Sequence, residues 1–201
     1  MKTDRPFTRW MCVILAALLV LPAGVLAQEP GQAQPQASGQ AKGFSQEQLD
    51  QLLAPVALYP DDLLTQILMA STYPLEVAKA NNFAKQNKEL KGDALTKALE
   101  KQEWDPSVKS LVNFPQVLQM MSDKLDWTQK LGDAFLAQQK DVLGTVQALR
   151  KKAYDSGNLK SGKEQTVTVE KDKDPQVIVI QQASPEVIYV PTYNPTVVYG
   201  T

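Results

Sequence analysis

The chain is predicted to be α+β and mainly α: a multi-helix N-terminal domain followed by a small antiparallel β-sheet. Three observations predict it. Apolar residues recur every three or four positions between Leu49 and Ala153. Prolines and capping residues cut that stretch into short helices. Beyond Lys160 the texture changes to β-branched runs separated by turn residues.

Ahead of the helices, Lys2, Arg5 and Arg9 make a basic start, and an uninterrupted apolar run covers Trp10 to Leu21. Pro22 and Gly24 break the run, and Val25-Leu26-Ala27 suits cleavage after Ala27. This is the three-part pattern of a secretory signal peptide over residues 1–27. Crossing the hydrocarbon takes about 20 apolar residues, more than this run supplies. A retained anchor is the competing reading. Cys12 lies inside the run, so acylation at its end is not expected. Cleavage would remove three basic residues and Asp4, taking the net charge from −1 to −3, and would leave no cysteine. Residues 28–43, built from Gln, Ala, Pro, Gly and Ser, read as a disordered linker.

The helical domain is expected over 44–159. Ser45-Gln46-Glu47-Gln48 fits a capping box, and Leu49, Leu52, Leu53 and Val56 follow at helical spacing. Pro60 and Pro74 suit first helical positions, with Asp61, Asp62 and Glu76 in the first turns. Asp93 is expected to cap a helix holding Leu95, Ala98 and Leu99. Asp105-Pro106 and Phe114-Pro115 open helices over 106–113 and 115–124. The longest helix is expected to start at Asp126 as its cap. Its apolar stripe is Trp127, Leu131, Phe135, Val142, Val146, Leu149 and Ala153, with one polar interruption at Gln138. Arg150, Lys151 and Lys152 would complement its C-terminal dipole, and Gly157 would close it.

The β-strand segment is expected over 160–201. Thr166–Val169 and Gln176–Ile180 form a hairpin signal across Lys171-Asp172-Lys173-Asp174-Pro175. A third strand is expected at Val187–Val190 and a fourth at Val197–Tyr199.

Composition excludes several chemistries. With no histidine and one cysteine, neither a His-based triad nor a tetrahedral zinc site can be built within the chain. A near-neutral balance, 21 basic against 22 acidic residues, gives no nucleic-acid footprint. No cofactor motif occurs. Asp172-Lys173-Asp174 starts like a calcium loop, but Pro175 follows and no later Glu completes it.

Two long motifs carry a resemblance: Leu53-Ala54-Pro55-Val56-Ala57-Leu58-Tyr59-Pro60-Asp61 and Ala70-Ser71-Thr72-Tyr73-Pro74-Leu75-Glu76. Trp104–Leu111, Phe114–Leu118, Leu125–Thr128, Val187–Pro191 and Tyr193-Asn194-Pro195 extend it. With these the chain resembles a bacterial exported family, domain-of-unknown-function family 3300, over roughly residues 45–200. The resemblance implies an exported Gram-negative protein and carries over no catalytic residue.

The residues favour a non-catalytic envelope module. Tyr189, Pro191, Tyr193 and Tyr199 are the candidate partner-binding residues. Prolines belong at sheet edges, and an edge can accept a strand from an envelope protein. The membrane is expected to matter only before the signal is cleaved, leaving a periplasmic or secreted protein. The competing reading is a carboxylate-dependent hydrolase of cell-wall or polysaccharide material using Asp105 or Asp126, each beside a Trp. Both acids also stand where helix caps are expected. A chaperone-like role is a third reading, which Met120 and Met121 on the surface would encourage and their burial would not.

Overall fold

A computed structural model describes residues 43–170, 172, 176–184 and 189–199. The expected signal peptide and nearly all of the linker lie outside the described residues, as do most of the hairpin connection and the first half of the expected third strand. Among the described residues the order is α1 (Gln46–Leu53), α2 (Asp61–Ala70), α3 (Pro74–Gln86), α4 (Gly92–Glu100), α5 (Pro106–Leu111), α6 (Pro115–Asp123), α7 (Leu125–Ala137) and α8 (Gln139–Asp155). Strands β1 (Gln165–Glu170) and β2 (Val177–Gln182) and a short α9 (Pro195–Val198) complete it. The chain is mainly helical with one small antiparallel sheet.

Local chemistry sets most helix starts. The Ser45 hydroxyl accepts from the Gln48 N–H at 3.3 Å, and the Gln48 side chain accepts from the Ser45 N–H at 2.8 Å, completing the capping box. Asp105 caps α5 by accepting from the Ser107 N–H at 2.8 Å. Pro74, Pro106 and Pro115 occupy first turns, where a missing N–H costs no hydrogen bond.

Four expectations need correction. Pro60 sits at the cap of α2, and Asp61 is its first helical residue. Lys91, not Asp93, stands at the cap of α4; the helix starts at Gly92, and Asp93 falls inside its first turn. Lys124 serves both as the end of α6 and as the cap of α7, so Asp126 caps nothing and lies exposed in the first turn. The long helix is two helices. It breaks at Gln138, whose carboxamide donates to the Phe44 carbonyl at 3.2 Å and accepts from the Phe44 N–H. Residue 138 stands outside helical geometry, at φ −145° and ψ 51°, while its side chain is held on the start of the fold.

Leucines and valines from α1, α2, α5, α6, α7 and α8 form one buried cluster, which β2 joins through Ile178 and Ile180. α3 packs on α6, α2 on α5, and α1 on α8. α8 ends at Asp155 and is closed two residues on by Gly157, whose φ of +73° favours glycine; the Asn158 N–H then reaches back to the Ala153 carbonyl at 2.8 Å. β1 and β2 pair from Gln165↔Gln182 to Glu170↔Val177. Gln147 of α8 pins β2 by accepting from the Ile178 N–H at 2.8 Å and donating to the Ile178 carbonyl at 3.3 Å. Tyr189 and Val190 are in no strand, and the expected fourth strand is replaced by α9. Asn194 caps that turn by accepting from the Thr196 N–H at 3.1 Å, with Pro195 in its first turn.

Candidate functional site

In the loop 54–60 between α1 and α2, the Ala54, Ala57 and Tyr59 carbonyls accept no main-chain hydrogen bond among the described residues, and their donors are side chains from elsewhere in the fold. They come from two directions. Arg150, 1% exposed, donates from Nε to the Ala57 carbonyl at 2.8 Å and from Nη2 to the Tyr59 carbonyl at 2.9 Å. Its Nη1 reaches the Ile178 carbonyl at 2.9 Å and the Asp61 carboxylate. One guanidinium thus ties loop, α2 and β2 to α8. The expected basic trio divides: Arg150 points into the core, while Lys151 pairs with Asp155 on the surface.

From the other side comes the C-terminal segment. The Tyr193 hydroxyl donates to the Ala54 carbonyl at 2.8 Å and accepts from the Leu58 N–H at 3.3 Å. The Tyr199 hydroxyl donates to the same carbonyl at 3.1 Å. Tyr59, Tyr193 and Tyr199 meet edge to face, with ring centroids 6.4 and 6.2 Å apart. Asn158 holds α9 by donating to the Val198 carbonyl at 3.0 Å.

Of the four candidate partner-binding residues, three line adjoining hollows against the start of α6. A hollow of about 380 Å³ is bounded by Phe114, Gln116, Tyr189 and Val190. A second, of about 190 Å³, is bounded by Pro55, Tyr59, Val190, Pro191 and Tyr193. Tyr199 is not brought there; it is 5% exposed and fills the interior.

Burial is the first cause that raises the phenols of Tyr59, Tyr193 and Tyr199 above the ordinary tyrosine value, and Tyr199 is pushed up to about 12. For Tyr193 the neighbouring Tyr199 adds to the rise. Unfolded tyrosine ionises near pH 10 (roughly). Above that pH the native chain keeps protons that the unfolded chain has lost, so stability falls as pH rises and is untouched by these groups at neutral pH. Denaturation midpoints measured through the alkaline range should show that fall, and the Tyr193→Phe/Tyr199→Phe pair should flatten it.

The single variants should differ. Tyr193→Phe strips the Leu58 N–H of its acceptor and should cost about 1.5 kcal/mol, whereas Tyr199→Phe leaves Ala54 bonded to Tyr193 and should cost about 0.5 kcal/mol. Urea unfolding of the two would order them; a reversed order would contradict this geometry.

The acidic candidates are engaged structurally or stand apart. Asp105 accepts from both the N–H and the hydroxyl of Ser107, and its own N–H donates to Glu76 at 2.7 Å. Asp126 is exposed on α7. Among the described residues no group of three or more acids could hold a metal ion. Met121 is fully buried and Met120 half-buried against the core, so the two give a chaperone-like role no encouragement. Sequence reasoning missed Arg150 as a core residue. The signal was available: Arg150 shares the helical face of Val146, Leu149 and Ala153.

The sequence model of a family described as a protein of unknown function (DUF3300) matches residues 45–201. The uncharacterized protein YacH of Escherichia coli (strain K12) is 55% identical over 124 residues, 62% of this chain and 20% of that relative. The chain therefore spans one fifth of the relative's length. No solved structure matches the chain.

Proposed function

Starting from the fact that the chain belongs to the DUF3300 family, we propose that it is an exported, non-catalytic interaction module of the bacterial envelope that takes a partner strand along its C-terminal segment. The observation that carries this reading is the seam. Tyr193 fastens the segment to loop 54–60, while Tyr189 and Pro191 line hollows open to solvent. Among the described residues, the main chain of 189–193 makes no backbone hydrogen bond. Such a backbone beside shaped hollows suits strand addition, in which the main chain supplies affinity and pockets read alternate side chains. The reading as a module, and not an enzyme, draws support from the acids: Asp61 is spent on Arg150, and Asp105 on a helix cap.

Export draws its support from the basic start, the run 10–21 and the Ala27 site. No helix among the described residues is long and apolar enough to cross a membrane. Two measurements test the proposal. N-terminal sequencing of the protein from the periplasm should begin at Gln28; a cytoplasmic chain beginning at Met1 would overturn export. A photo-crosslinking residue at Tyr189 should trap one envelope protein that the same residue at Asp126 does not. The same products from both positions would overturn the seam.

A further inference from the structure

A separate groove of about 770 Å³ lies beyond the turn at 113–115, walled by the end of α3, the turn 87–91 and the start of α4. Lys85, Lys88 and Lys91 stand around it, all exposed, and none forms an ion pair among the described residues. No acid lines it. Its apolar wall is Ala84, Leu90, Leu95, Val112 and Pro115. Three of its amides are already committed as donors: Asn87 to the Phe83 carbonyl, Asn113 to Ser110 and Gln119 to Asp123. Asn81 is different. It is 4% exposed, it lines the groove, and its carboxamide has no hydrogen-bond partner among the described residues.

An amide this little exposed, lining the groove and bonded to no protein group among the described residues, has its donor and acceptor free for a ligand there. The first N–H groups of α4 add to the case. The helix opens at Gly92 on the groove wall, and no side chain caps it, so those donors can receive an anion. No aromatic ring lines the groove, so it offers no stacking platform for bases.

We propose that this groove binds an acidic peptide segment. Carboxylates sit over the three lysines and the start of α4. An aliphatic side chain rests on Leu95 and Val112, and the peptide main chain pairs with Asn81, whose amide both donates and accepts. The groove shares Asn113 and Pro115 with the larger seam hollow, but its lysines, Asn81 and the start of α4 border neither seam hollow, so this site does not depend on strand addition at Tyr189.

The test uses the full-length chain and a fluorescent peptide of alternating Glu and Leu, followed by anisotropy. Binding should weaken with salt and fall at least about tenfold in K85E/K88E. Asn81→Leu should weaken binding by a similar factor while leaving the melting temperature little changed, because that amide bonds no protein group among the described residues. A merely structural Asn81 would instead lower the melting temperature and spare binding. The same affinity for a Gln-Leu peptide, undiminished binding by K85E/K88E, or binding of a sulfated polysaccharide in place of the acidic peptide would each overturn the proposal. Should Asn81→Leu fail to fold, the surface pair K85E/K88E still decides it.

Discussion

Arg150→Ala is expected to lower the folding free energy by about 3–5 kcal/mol, the range seen when one partner of a buried charged network is removed. The size follows from what is left behind. The Ala57 and Tyr59 carbonyls each accept from Arg150 and have no other donor among the described residues. The Ile178 carbonyl keeps Gln147, and the Asp61 side chain, 40% exposed, keeps water. Two orphaned buried carbonyls, the lost packing of a large side chain and a cavity in its place therefore set the cost. Arg150→Lys should recover only part of it, since an ammonium cannot reproduce a planar fork that serves four acceptors at once. Urea unfolding checks both. A loss under about 1 kcal/mol for the alanine variant would mean that loop 54–60 is held by something other than this guanidinium.

The starts of α1, α3, α5 and α6 were legible in the sequence because their causes are local. The Ser45 box, the Asp105 cap and the first-turn prolines need only three or four neighbouring residues to act. The hairpin was legible for the same reason, its two β-branched runs pairing across one short connection. What escaped has distant causes. The break at Gln138 depends on Phe44, 94 residues away, so no periodicity within the stripe could announce it. Arg150 suits the end of a helix by its type, although its spacing places it on the apolar face; three of its four acceptors lie about 90 residues upstream. In the tail, Val197-Val198 looked like a strand by propensity. The Asn194-Pro195 pair ahead of it had already written a cap and a first turn, and local capping won over β-branching.

The candidate site follows the same division. Tyr189, Pro191 and Tyr193 do gather on one seam, as a proline-marked edge suggested, but Tyr199 was drawn inward by the Ala54 carbonyl. That carbonyl's need is visible only once α1 and the tail are set side by side. The groove was not read from the sequence: Lys85, Lys88 and Lys91 stand three apart with no motif around them, and their gathering with Asn81 is a fact of three dimensions.

Gly132→Ala is the second variant with a large expected effect, and it separates a packing demand from a propensity rule. A Cβ at Gly132 would stand 2.3 Å from the Ser71 carbonyl oxygen, 2.6 Å from its carbon and 2.9 Å from the Thr72 nitrogen. All three are main-chain atoms of the turn between α2 and α3, so no rotamer change relieves the clash. α7 must back away, and it packs on α1, α2, α3, α6 and α8 together. Overpacking of this kind costs about 3 kcal/mol, against about 1 kcal/mol gained by replacing glycine with alanine inside a helix. The net loss expected is about 2 kcal/mol. Gly144, in the middle of α8, has nothing within 4 Å of its Cβ position, so Gly144→Ala meets only the propensity term and should gain up to about 1 kcal/mol. Thermal or urea unfolding of the pair should therefore move in opposite directions. If Gly132→Ala were neutral or stabilising, the close approach of α7 to the Ser71 turn would not exist in solution.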